Sequence, residues 1–264
     1  MEKQWILVFD SGNGGRYTLS KLKRAMPNEN YIFFMDKLHC PYGTKTKCQL
    51  KRIALNIVKK ITKKFNIKLI VIACNTMASV ALDFLSEKFP QIPIVAVMPC
   101  INSKVISKPT LILSTKVTAR YNESIRAVRH LKNIYIKSFA NLAKKIDNAN
   151  GNFGLLQDYL NKKLKKYKNK FLDNVVLGCT HFAYIKPQIK NALKANVDFF
   201  ENSEVVAINA KKMLKSIGKR SRSKKNGTIL ELYSIKWQYK LKYITVSGNN
   251  IGDLARQIKC FQCW

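Results

Sequence analysis

Two short stretches of the chain carry the same arrangement of chemical groups. Val71-Ile72-Ala73-Cys74-Asn75-Thr76 and Val176-Leu177-Gly178-Cys179-Thr180-His181 each pass from apolar residues through a small one to a cysteine, and hydrogen-bonding side chains follow at once. A strand that ends this way and feeds a helix sets a thiol at a helix N-terminus, where unpaired N–H groups favour the thiolate. One such cysteine is equally well explained by packing, because a free Cys behaves as a small hydrophobe. Two near-copies suggest a pair of thiols facing each other across one substrate. A thiolate on one face of a carbon centre and a thiol on the other can remove one proton and supply another, inverting the centre by general acid–base catalysis. A single nucleophilic thiol is the other chemistry open to these residues, and it leaves the second cysteine without a part.

Polar residues near the two thiols extend the set. His181 lies two residues after Cys179 and can polarise that thiol or donate a proton near neutral pH. His39 and His130 have no thiol motif beside them. The turn Asp10-Ser11-Gly12-Asn13-Gly14-Gly15 follows an apolar segment, but its glycine spacing is neither of the nucleotide-binding patterns. An acid at that strand end suits a substrate ammonium or a nearby thiol; capping of the following helix is the plainer role. Thr76, Thr115, Thr118 and Thr180 fall at or just after expected strand ends, where their hydroxyls either line a polar pocket or cap helices. Cys260-Phe261-Gln262-Cys263 has the CxxC form, but without a second pair or a nearby His it predicts no metal site.

The elements that must position these groups alternate short apolar strands with amphipathic helices, the pattern of an α/β fold with mostly parallel sheets. Strands are expected at Trp5 to Phe9, Tyr31 to Met35, Lys68 to Ala73 and Ile94 to Val97, with helices at Tyr17 to Met26, Lys47 to Phe65 and Thr76 to Lys88. A second set has strands at Thr110 to Leu113, Ile134 to Lys137, Asn174 to Leu177 and Val197 to Phe200. Its helices are expected at Ala119 to His130, Leu155 to Lys168, Ile185 to Lys194 and Glu204 to Ile217. A basic linker, Gly218 to Gly227, leads to strands at Ile229 to Ile235 and Tyr243 to Val246 and a closing helix at Gly252 to Cys260. The two cysteine strands occupy similar places in two half-chains. This predicts two similar α/β lobes, 1–97 completed by 209–264 and 98–208, with the site in the cleft between them.

With 264 residues, 47% of them hydrophobic, the chain can bury a sizeable core. Its apolar runs fall well short of the roughly 20 residues needed to cross a bilayer. The first ten residues lack the basic-then-apolar pattern of a signal peptide, so a cytoplasmic protein without membrane contact is expected. Seven scattered cysteines argue against a disulfide framework. The net charge of +33 comes from lysines spread over nearly every amphipathic segment. Diffuse charge of this kind attracts polyanions nonspecifically and helps draw in an acidic substrate. A dedicated nucleic-acid-binding protein is the alternative it leaves open.

Four segments together resemble the glutamate racemases of the aspartate/glutamate racemase superfamily: Phe9-Asp-Ser-Gly-Asn-Gly-Gly15, Pro41-Tyr-Gly43, Ala73-Cys-Asn-Thr76 and Leu177-Gly-Cys-Thr-His181. Their order and spacing hold over nearly the whole chain. The resemblance implies cofactor-independent interconversion of L- and D-glutamate, with D-glutamate passing to peptidoglycan synthesis. It implies Cys74 as the base for D-glutamate, assisted by Asp10, and Cys179 as the base for L-glutamate, assisted by His181. It also implies substrate contacts from Asp10, Ser11, Tyr42, Gly43, Asn75, Thr76, Thr180 and His181; Thr118 joins them as a strand-end hydroxyl. Homodimers are common among such enzymes, and some bind DNA gyrase. An aspartate or other amino-acid racemase is the neighbouring possibility. Lys37, Leu38, His39 and Cys40 depart from the family's usual segment before Pro-Tyr-Gly. Asp147 falls where the family has an auxiliary Glu, and Glu201-Asn202 where it has Asp-Ser. Both thiols remain.

Overall fold

The strands are short runs of Val, Ile, Leu, Phe and Tyr, buried on both faces, as parallel sheets covered by helices require. The structure is a computed structural model that describes residues 3–168, 170–235 and 238–243. β1 (Gln4–Asp10) leads into α1 (Gly14–Ala25), and β2 (Tyr31–Met35) lies parallel to β1. Two single turns of 3₁₀ helix, Lys37–His39 and Tyr42–Thr44, precede α2 (Lys47–Thr62). A reciprocal cap starts α2: Gln49 N–H donates to Thr46 Oγ1, and Thr46 N–H donates to the Gln49 side chain. β3 (Asn66–Ile72), α3 (Asn75–Lys88) and β4 (Ile94–Ala96) follow.

The second set begins with α4 (Ser103–Ile106), β5 (Thr110–Thr115), α5 (Lys116–Tyr121), α6 (Glu123–Val128) and β6 (Ile134–Phe139). It continues with α7 (Leu142–Asn148), α8 (Gln157–Leu164), β7 (Asn174–Gly178), α9 (Lys186–Leu193) and β8 (Asp198–Phe200). The chain then returns through α10 (Ser203–Ser216) to β9 (Ile229–Ile235) and β10 (Gln238–Tyr243).

One sheet has the order β10-β9-β2-β1-β3-β4, parallel except for the antiparallel pairing of β10 with β9; the other, β6-β5-β7-β8, is wholly parallel. The order β2-β1-β3-β4 thus recurs as β6-β5-β7-β8. β3 and β7, which lead to the two cysteines, hold equivalent places in the two lobes.

Helices cover both sheets. Ile53 and Ile57 of α2 and Met77 and Leu85 of α3 pack on one face of the first sheet. Leu19 and Leu22 of α1 pack on the other, with Val206, Ala210 and Leu214 of α10. The expected boundary between 208 and 209 therefore falls inside a single helix that packs on the first lobe. The second sheet lies between α7, α8 and α9 on one side and α4 and α6 on the other. The basic linker is tied down where the buried Lys68–Glu29 pair, 2.6 Å apart, reaches it: Lys68 Nζ donates to Lys219 O, and Glu29 accepts from Ser221 N–H.

Two expected helices differ. The helix expected from Ala119 to His130 is broken in two, because Asn122 is extended and its side chain caps α6 by accepting from Ile125 N–H. The helical region expected from Leu155 to Lys168 narrows to α8, with 3₁₀ turns at Phe153–Leu156 and Lys165–Tyr167. Helices α4 and α7 were not expected. The strand expected at Tyr243 to Val246 lies almost wholly outside the described residues, as do the closing helix and Cys260 to Cys263. Among the described residues, no helix is long and apolar enough to cross a membrane.

Candidate active site

Parallel strands bring their C-terminal ends to one edge, where crevices form in α/β folds. Ala73 N–H donates to Phe9 O and Asp36 N–H to Asp10 O, so Asp10, Asp36 and Cys74 emerge side by side. In the second lobe the pairing of Ser114 with Gly178 sets Thr115 and Cys179 together. Both thiols are buried, each 7% exposed.

Cys74 is the N-cap of α3, as its motif predicts, and the N–H groups of Thr76 and Met77 reach its sulfur. Burial pushes the thiol well above the ordinary cysteine value, the charge of Asp10 adds to the rise, and the N–H groups offset only part of it. Cys179 is also among the charges that Cys74 feels. Asp10 is fully buried. Burial raises its pKa, while His181, Thr180, Ser11 and the Cys74 thiol pull it back. Thr180 Oγ1 donates to Asp10 Oδ2 at 3.0 Å and Ser11 Oγ to Asp10 Oδ1 at 3.2 Å. Thr180 therefore carries the second lobe's cysteine segment onto the first lobe's carboxylate.

Cys179 departs from the expected helix N-terminus. It is followed by a 3₁₀ segment, Thr180–Ile185, and α9 starts only at Lys186. That tighter turn puts His181 Nδ1 4.0 Å from Cys179 Sγ, so an imidazole stands where a helix dipole was expected. The ring's other nitrogen, Nε2, lies 3.2 Å from Asp147 Oδ2 and 3.2 Å from Gly14 N. Burial alone would lower the His181 pKa; the charge and hydrogen bond of Asp147, with those of Cys179, hold it well above the ordinary value. For Asp147 the opposition is mirrored. Burial raises its pKa, and His181, Asn13 and Lys37 hold it below the usual carboxylate value. Gly14 is needed for this approach, since a Cβ there would meet Thr180 Oγ1 at 2.5 Å and His181 Cε1 at 2.7 Å.

A second group joins the lobes beside Cys74. Thr76 Oγ1 lies 2.9 Å from Thr115 Oγ1 and 3.3 Å from Thr118 Oγ1, and Thr115 and Thr118 are 3.0 Å apart. Gly43 abuts Thr115, where a Cβ would come within 3.0 Å. Asn75 Oδ1 is buried and has no hydrogen-bond partner among the described residues. Tyr42 is within electrostatic reach of Cys74 and Asp10, but its hydroxyl is turned to Asp36 Oδ2 at 2.8 Å. Asp36 also takes Ser234 Oγ and the His39 ring. His39, without a thiol motif, thus has a structural partner.

The residues expected to do chemistry or contact substrate, Asp10, Ser11, Tyr42, Gly43, Cys74, Asn75, Thr76, Thr118, Cys179, Thr180 and His181, all lie in or beside these two groups. Asn13, Gly14 and Asp36 had been given no role of their own, and Cys40 had been noted only as a departure from the family's usual segment. Cys40 hydrogen-bonds Ser11, and burial pushes its thiol to about 11. Asp147 stood out through resemblance alone, yet its helix had a readable signal: Leu142, Ile146 and Ala149, at helical spacing, are all buried.

The sequence profile of the Asp/Glu/Hydantoin racemase family matches residues 12–202. A glutamate racemase of Clostridium perfringens is 30% identical over 230 residues, covering 85% of this chain and 88% of its own. One from Buchnera aphidicola subsp. Acyrthosiphon pisum is 33% identical, covering 90% and 98%. The fold is that of the Escherichia coli glutamate racemase solved with L-glutamate and the activator UDP-MurNAc-Ala, with a TM-score of 0.77 at 24% identity over 88% of this chain and 90% of that one. By profile and by near full-length relatives, this chain belongs to the Asp/Glu/hydantoin racemase family.

Proposed function

We propose that this chain interconverts L- and D-glutamate by proton transfer between two thiols, and so supplies D-glutamate for peptidoglycan synthesis. The observation that carries the reading is the unlike pairing of the two sulfurs: Cys74 with a buried carboxylate, and Cys179 with an imidazole that is itself paired with Asp147. In the L-to-D direction Cys179, beside the His181 ring, is the base that takes the α-proton. The Cys74 thiol, its proton held by burial and by Asp10, delivers one to the opposite face. In the D-to-L direction the parts are exchanged. The substrate ammonium, set against Asp10 and the unpartnered Asn75 Oδ1, cancels the charge that raised the Cys74 pKa and brings that thiol toward its thiolate. Ser11, Thr76, Thr118 and Thr180 hydroxyls and the backbone at Tyr42 and Gly43 suit the two carboxylates.

The test is the circular dichroism of an L-glutamate solution incubated with the purified protein. The signal should decay to zero, and in deuterated water each enantiomer should gain α-deuterium as it racemises. A stable signal, or racemisation without exchange, overturns the reading.

A further inference from the structure

His181 Nε2 has one acceptor and one donor within reach, Asp147 Oδ2 and Gly14 N–H, each at 3.2 Å. A single ring nitrogen can satisfy only one of them: it donates to the carboxylate when protonated and accepts from the amide when bare. The placement of the Asp147 carboxylate therefore sets the state of the imidazole that touches Cys179. Asp147 is short, and 22% of its side chain is exposed.

Its second oxygen, Oδ1, accepts from Asn13 Nδ2 at 3.2 Å. Asn13 is the N-cap of α1, yet its side chain makes no capping hydrogen bond. It is diverted instead, because Arg16 Nε donates to Asn13 Oδ1 at 3.3 Å. Arg offers only donors, so the amide oxygen must face Arg16 and the amide NH₂ must face Asp147. Arg16 is itself fixed by a two-pronged pair with Glu231 of β9, in which Nη2 donates to Oε2 at 2.8 Å and Nη1 meets Oε1. Arg16 and Glu231 are 6% and 2% exposed, and the Tyr233 hydroxyl donates to Glu231 at 2.6 Å. A buried ion pair thus anchors an amide of fixed polarity, and the amide aims a carboxylate.

We propose that Asn13 is a positioning residue: locked by Arg16, its side-chain amide holds the Asp147 carboxylate in the orientation that pairs with His181 Nε2. The catalytic consequence rests on the two-thiol reading; the placement itself does not. The other titratable groups facing His181 are Cys179 on its own segment, Asp10 from β1, Cys40 from the segment after β2, and Tyr184; Lys37 faces Asp147. None of them touches Asp147 Oδ1 in the way Asn13 does.

The experiment is an imidazole nitrogen NMR titration of His181 in the wild-type protein, Asn13→Val, Asn13→Ala, Asp147→Asn and Asn13→Val/Asp147→Asn, beside the pH profile of kcat/KM. Each Asn13 variant should lower the His181 midpoint by about one pH unit, roughly tenfold in proton affinity, and move the basic limb of the profile down with it. In the Asp147→Asn background the Asn13 change should shift nothing further. An unchanged midpoint in both Asn13 variants, or an equal drop when Asp147 is already Asn, overturns the proposal. If the wild-type protein fails to racemise glutamate, the function fails while the titration still decides the placement.

Discussion

Cys74 has a buried carboxylate for a neighbour, whereas Cys179 has an imidazole backed by a second carboxylate. Two identical side chains are thereby set in unlike surroundings, with burial and the Asp10 charge holding the Cys74 thiol well above its ordinary value. Cys74→Ser and Cys179→Ser should each lower kcat by about 100-fold or more, since a hydroxyl does not ionise usefully in this range, while far-ultraviolet circular dichroism stays as in the wild type. Near-full activity in either variant would remove that cysteine from the mechanism. Asp10 adds a stability argument. Its folded-state pKa is raised, so the folded protein holds the proton more tightly than the unfolded chain. Its stabilising effect is largest at low pH and is lost as pH rises through the folded value; at neutral pH the buried charge is a cost. Asp10→Asn should therefore raise Tm at pH 7, at about 2–4 °C for each kcal/mol regained, while abolishing racemisation. A melt showing no rise would contradict the burial argument.

Among the elements, the junction of α5 and α6 is one of the ties between the lobes. Asn122 ends one helix and caps the next, and its Nδ2 reaches Ser79 Oγ and Met98 Sδ, each at 3.3 Å. Ser79 in turn donates to Asn75 O at 2.7 Å, in the first turn of the helix that Cys74 caps. Removing this side chain deletes both the cap and the tie. Asn122→Ala should cost about 1–2 kcal/mol of stability, read as a lower midpoint in denaturant, and should raise KM more than it lowers kcat. Equal loss in both would mean that the junction acts on chemistry rather than on the fit between the lobes.

The whole molecule carries its charge of +33 mostly on exposed lysines, and the lysines lining the shallow cavity on α8 and the turn after it, Lys162, Lys163, Lys165, Lys166 and Lys168, crowd one another. Such a field draws an anionic amino acid toward the protein and is screened within about 8–10 Å at physiological salt. KM for glutamate should rise several-fold between low salt and about 0.5 M KCl, with kcat unchanged, as the screening length shrinks. A KM indifferent to ionic strength would show that the field contributes nothing to capture.

Much of this was legible in order along the chain. Apolar runs of strand length, the near-repeat around Cys74 and Cys179, and the Asp10 turn are local patterns, and local sterics and burial act on them wherever they fold. The same holds for the two-lobe plan, since equivalent strands carry equivalent motifs. What the sequence could not contain is the partner of each polar group. Nothing local says that Asn13 will forgo its cap for Asp147 and Arg16, or that Glu231 will return to α1. Nor does the Cys179 motif announce that a 3₁₀ turn will set an imidazole beside the sulfur. Those outcomes join residues far apart in the chain, and they are decided only when burial forces each donor and charge to find a partner across the lobes.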